Sequence, residues 1–147
     1  MQKTCVIIKP DGIGKKVIGE VIRRFETEGL QLLGVKMVRP DRASLENFYG
    51  IHKGKDFFEP FINFMSSGPI VVTAWQGERA VQKVRDIIGV TNSKEALPGT
   101  LRQMFGTDGR RNLVHASDTV DNGIKEVDFF FRNEEIFDYD PDAWHTE

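Results

Sequence analysis

Residues 4–12 read Thr4-Cys5-Val6-Ile7-Ile8-Lys9-Pro10-Asp11-Gly12. A short β-branched and apolar run, cut off by a Lys-Pro-Asp-Gly signal, has the length and composition of a buried strand followed by a turn. Immediately downstream, Val17, Ile18, Val21, Ile22 and Phe25 recur at helical spacing, and Gly29 ends that segment. Leu30 to Val38 is strand-like and Pro40 closes it. Strand, turn, helix and strand in that order make a βαβ unit the first expectation.

The rest of the chain extends the pattern. Leu45, Phe48, Tyr49 and Ile51 suggest a short helix, and Phe57 to Met65 a second one stopped by Ser66-Ser67-Gly68-Pro69. Ile70 to Trp75 reads as a third strand, and Val81, Val84, Ile87 and Ile88 mark a helix ending at Gly89. From Val90 to Asn112 the chain is rich in Gly, Thr, Asn and Pro. This predicts a long ordered loop with at most a short helix near Leu101 to Phe105, and such loops are usually functional. Leu113 to Ala116 is the fourth strand; Val120, Ile124, Val127 and Phe131 define the last helix. Strands alternating with helices predict an α+β fold with one helix-covered sheet. A ferredoxin-like, split βαβ arrangement with a four-stranded antiparallel sheet fits; a small doubly wound sheet leaves the same periodicity.

The 147 residues predict a single domain, 1–147, with residues 138–147 a polar C-terminal tail opening on Asp138-Tyr139-Asp140-Pro141-Asp142. Trp144 is a candidate anchor of that tail to a neighbouring subunit, and an unstructured tail is the equal alternative. Acidic residues number 22 and basic residues 20, for a net charge of −2, which argues against a dedicated nucleic-acid binder. The lone Cys5 permits no internal disulfide and reads as a small apolar strand residue. The N-terminal apolar run is too short for a signal-peptide core or a membrane span. A soluble cytoplasmic protein without membrane contact is therefore expected.

Familiar phosphate loops fail. Gly12-Ile13-Gly14 lacks the third glycine of a dinucleotide fingerprint, because Val17 stands there. Gly14-Lys15 is followed by Lys16 where a P-loop needs Ser or Thr, so Gly12 and Gly14 read as turn residues. Neither zinc spacing nor an EF-hand loop occurs.

Asn112-Leu113-Val114-His115-Ala116-Ser117-Asp118 is the chemically informative stretch. Strand alternation predicts Leu113 and His115 on one side and Val114 on the other. Glu126 lies on the following helix, within reach of His115 if that helix folds back. A carboxylate bonded to one imidazole nitrogen fixes the tautomer and leaves the other free as a nucleophile. Ser117 and Asn112 add a hydroxyl and an amide. Phosphoryl transfer also needs cations around the phosphate oxygens, and Lys9, Arg85 and Arg102 are the candidates. His52 and His145 read by default as structural or exposed.

With these residues in view, the chain from Thr4 to about Tyr139 resembles the nucleoside diphosphate kinases. Asn112 to Asp118 matches the family's N-x-x-H-[GA]-S-D signature. Val6 to Gly12, Ile18-Gly19-Glu20, His52 to Lys55, Phe57-Phe58, Ser67-Gly68-Pro69, Thr91-Asn92 and Leu97 to Thr100 are similar to other family segments. The resemblance implies a ferredoxin-like fold and ping-pong transfer of a γ-phosphoryl group, typically from ATP to a nucleoside diphosphate. His115 would be the nucleophile, phosphorylated on its pros nitrogen. It implies that Glu126 and Ser117 support the ring, and that Lys9, Tyr49 and Asn112 lie near the phosphate or sugar. Arg85, Thr91 and Arg102 would bind the outer phosphates, and Phe57 would stack on the base. It further implies Mg²⁺ held by the nucleotide phosphates rather than by a protein cage, and a homo-oligomer, tetramer or hexamer.

Arg110 precedes Asn112 where a glycine is more usual, and Ser93-Lys94 stands where proline is common, so the base-side wall and the assembly are open to change. Two other readings share the residues: a phosphatase whose phosphohistidine is discharged by water, and a non-catalytic nucleotide or nucleic-acid binding module.

Overall fold

The computed structural model describes residues 1–145. Its sheet contains β1 (Gln2–Ile8), β2 (Gln31–Val38), β3 (Ile70–Gly77) and β4 (Val114–Ala116) in the order β2-β3-β1-β4. Every neighbouring pair is antiparallel. A doubly wound sheet needs parallel neighbours, so the antiparallel ladders decide for the split βαβ, ferredoxin-like arrangement.

The helices are α1 (Pro10–Gly14), α2 (Ile18–Thr27), α3 (Arg42–Phe48), α4 (Phe58–Met65), α5 (Ala80–Ile88), α6 (Leu101–Phe105) and α7 (Val120–Phe130). Two apolar cores lie on opposite faces of the sheet. Val6, Ile8 and Trp75 pack with Phe25 of α2 and Val84 of α5. Ile7, Val72 and Ala74 pack with Leu45 of α3, Ile62 of α4 and Val127 of α7. This two-sided burial explains why residues 4–8 read as an unbroken apolar run rather than an alternating one. Cys5 is fully buried within it, and burial pushes its thiol pKa well up.

Two local expectations change. Lys9-Pro10-Asp11-Gly12, expected as a turn, instead opens α1, with Pro10 in the first turn where its missing N–H costs nothing. Leu113 does not belong to the fourth strand: its φ is +78°. That left-handed residue interrupts the alternation, so Leu113 falls into the same core as Val114 and not on the side of His115. The long loop does contain the short helix α6, started by Thr100, whose hydroxyl accepts from the Gln103 N–H.

The C-terminal segment runs along the edge strand β2. Gln31 donates to the Tyr139 carbonyl at 2.7 Å, and the Tyr139 hydroxyl donates to the Leu32 carbonyl at 2.5 Å. The expected tail, 138–147, ends in two residues outside the described range. No helix among the described residues is long and apolar enough to cross a membrane.

Candidate active site

β4 is short but well anchored: Ile7 pairs with His115, and Val6 with Ala116. Val114 and Ala116 are buried in the core under α2 and α5. Alternation therefore turns His115 to the opposite face, where the rings of Phe48 and Tyr49 stand edge-on to it at 5.4 and 5.6 Å.

α7 folds back over β1. Its Gly123 sits so close that a Cβ there would lie 2.5 Å from the Lys3 carbonyl oxygen. That approach carries Glu126 to the imidazole, with Oε1 2.9 Å from Nε2 of His115. The Ser117 hydroxyl donates to the same oxygen at 2.8 Å and accepts from the Cys5 N–H at 3.1 Å. A carboxylate can only accept, so Nε2 carries the ring proton. Nδ1 keeps its lone pair and makes no hydrogen bond among the described residues, while the side chain remains 22 % exposed.

The His115 ring forms part of the wall of a cleft of about 480 Å³. Lys9, at the end of β1, is buried, and its Nζ donates to the Arg110 carbonyl and to Asn112 Oδ1, both at 2.6 Å. Its pKa is lowered to about 8, chiefly by burial, with Asp11 pulling the other way. The ammonium also lies 5.2 Å from the centre of the Phe61 ring. Arg102 donates to the carbonyls of Gly89, Asn112 and Val114. Burial, and then the charge of Arg85, lower its pKa to about 10. Arg102 thus fastens the backbone on both sides of Leu113 while facing the cleft. Arg85, by contrast, is exposed.

Asn112 is buried and fully used: besides accepting from Lys9, its amide donates to the Thr91 carbonyl at 2.9 Å. Tyr49 is buried, with a hydroxyl that has no hydrogen-bond partner among the described residues. Burial raises its pKa well above the ordinary phenol value. Phe57, at the mouth, is 47 % exposed and stands beside the His52 ring at 5.4 Å.

The tertiary structure therefore brings Lys9, Tyr49, Phe57, Arg85, Thr91, Arg102, Asn112 and His115 around one cleft. Glu126 and Ser117 stand behind the imidazole rather than in the lining. His52, Phe61 and Gly109 also line the cleft and were not singled out as site residues. The helical spacing of Phe57 and Phe61 was a signal for the second of these; nothing in the sequence separated His52 from a structural histidine.

Comparison with known proteins identifies the family. A family model described as "Nucleoside diphosphate kinase" matches residues 2–136. The nucleoside diphosphate kinase of Carboxydothermus hydrogenoformans is 40% identical over 149 residues, covering 100% of both chains. That of Desulfosudis oleivorans is 46% identical over 92% of this chain and 98% of its own. Among solved structures, the enzyme of Halobacterium salinarum in complex with CDP superposes with a TM-score of 0.93. It is 37% identical and covers 99% of each chain. The Aquifex aeolicus enzyme gives 0.90 at 40% identity, over 92% of this chain and 99% of that one. With sequence and fold in agreement over nearly its whole length, this chain belongs to the nucleoside diphosphate kinase family.

Proposed function

We propose that the chain transfers the γ-phosphoryl group of a nucleoside triphosphate, typically ATP, to a nucleoside diphosphate by way of a phosphate carried on Nδ1 of His115. The observation that carries this reading is the division of labour between the two ring nitrogens: Nε2 is committed to Glu126, and Nδ1 keeps a free lone pair in a cleft that also holds Lys9, Arg85 and Arg102.

The donor's phosphates lie among those cations, with Arg85 and Thr91 toward the outer phosphates and Phe57 under the base. Nδ1 attacks the γ-phosphorus. The N–P bond forms as the bond to the β,γ-bridging oxygen breaks, and the diphosphate leaves with that electron pair. The ring becomes cationic, and the Glu126 carboxylate at Nε2 offsets the charge. A second nucleoside diphosphate enters the same cleft, and its terminal oxygen takes the phosphoryl group as the N–P bond breaks. Stacking on Phe57 ignores base identity, because every base has a π-face, so one cleft serves many nucleotides. Ping-pong kinetics follow.

Among the described residues no three His, Cys, Asp or Glu side chains form a cluster able to hold a metal. The cationic lining suits a nucleotide that brings Mg²⁺ on its own phosphates. Bound there, the ion supplies neutralisation of the phosphate charge. A single domain, 1–147, acting in the cytoplasm completes the reading. So does assembly into a tetramer or hexamer, which the exposed Val35 and Met37 on the edge strand β2 support.

The test is incubation with γ-labelled ATP and no acceptor. Acid-labile, alkali-stable label that is absent from His115→Ala and is discharged by added nucleoside diphosphate supports the proposal. Absence of covalent label, or its discharge by water without an acceptor, overturns it.

A further inference from the structure

Among the described residues, Leu113 is the one near the site whose backbone is at odds with its side chain. A leucine at φ +78° sits in the left-handed region that favours glycine, and such conformations persist only where the surroundings hold them. It is fully buried, and it lies two residues before His115. Its N–H donates to Asp11 Oδ2 at 2.9 Å, and its carbonyl accepts from the Lys9 N–H at 2.9 Å. Gly12 completes the cradle: a Cβ there would lie 2.9 Å from Leu113 Cδ1. The second oxygen of Asp11 is buried without a partner among the described residues. A carboxylate oxygen buried without a partner is poorly suited to solubility, and Asp11 does not line the cleft.

We propose that Asp11 is a positioning residue for the reaction: by holding the Leu113 amide it maintains the strained turn that sets the direction of β4 and hence the aim of Nδ1 of His115. This rests on the reading of His115 as the nucleophile. Asp11 never touches the nucleotide. It acts through its one hydrogen bond to the Leu113 N–H, and its loss lets residue 113 relax toward negative φ. The strand that starts at Val114 then swings, and the imidazole leaves its line of attack without leaving the cleft.

The experiment is single-turnover phosphorylation of the full chain by γ-labelled MgATP, which separates the maximal rate from the half-saturating concentration. For Asp11→Ala the rate falls roughly tenfold or more while half-saturation stays within about twofold, the pattern of a misaligned nucleophile rather than a lost binding contact. Asp11→Asn keeps an acceptor for the amide and stays within about threefold of the parent rate. Leu113→Gly and Leu113→Ala both empty the core pocket, but only glycine adopts positive φ without strain. Asp11→Ala therefore costs about tenfold in the Leu113→Ala background and about twofold or less in the Leu113→Gly background.

Equal losses in the two backgrounds overturn the proposal. So does an Asp11→Asn variant as slow as Asp11→Ala, or a rise in half-saturation in place of a fall in rate. Near-UV circular dichroism checks each fold. Should the Leu113 variants not fold, the Asp11→Asn and Asp11→Ala pair decides by itself. A parent chain that takes up no label would instead sink the assignment of His115, a result separable from any of these.

Discussion

The Ser117 hydroxyl donates to the same Glu126 oxygen that faces His115, 2.8 Å from it. Ser117 also accepts from the Cys5 N–H, so the carboxylate is tied through it to the middle of β1. The imidazole thus gets its orientation from two strands and a helix at once. Such outer partners fix ring direction and tautomer, and their loss weakens the group they support.

Glu126→Gln is expected to lower the turnover rate by about 10- to 100-fold, because an amide can neither neutralise a phosphorylated imidazolium nor hold Nε2–H without ambiguity. Half-saturation by nucleotide should move little, since Glu126 lies outside the lining. Steady-state kinetics with several nucleotides checks both quantities.

Lys9 predicts an alkaline limit to activity. Its pKa in the folded chain is about 8, set mainly by burial, opposed by Asp11 and Asp108 and reinforced by Arg102 and Arg110. As pH rises through about 8 the free enzyme loses this cation, so kcat/KM for nucleotide falls. The stability contribution runs the other way. An unfolded lysine titrates near 10.4, so between about 8 and that value the unfolded chain binds more protons, and Lys9's contribution to stability rises with pH. Lys9→Arg keeps the charge and should abolish this limb, at the cost of a lower plateau. A pH profile of kcat/KM beside thermal melts at the same pH values tests the opposite signs.

Phe57→Ala is expected to weaken nucleotide binding by roughly tenfold, in line with about 1–3 kcal/mol per stacked base, and to do so similarly for purines and pyrimidines. Because the ring is 47 % exposed, thermal stability should change little. Half-saturation in single-turnover phosphorylation by ATP, GTP and CTP is the measurement.

The edge of β2 carries exposed Val35 and Met37, and exposed Phe137 and Trp144 belong to the segment that crosses it. An edge strand that leaves apolar side chains exposed is a surface for association. Replacing Val35 and Met37 together by lysine should shift the chain to smaller species in sedimentation velocity. Unchanged sedimentation would place the subunit contact elsewhere.

Much of this protein was readable along the chain. Residues 4–8 announced a buried strand, Gly29 ended the following helix as expected, and Asn112 to Asp118 carried the family signature, because each of these rests on local chemistry. What the chain could not express was direction and convergence. Antiparallel pairing put β4 against β1 and so brought Lys9 to Asn112, a contact that spans 103 positions. The left-handed turn at Leu113 was invisible for the same reason: Asp11, Lys9 and Gly12, which surround it, are distant in sequence. Local propensity therefore determined the elements and the candidate for the reactive residue, whereas the aim of its nitrogen and the charge state of its neighbours were decided by packing, which alone sets burial and distance.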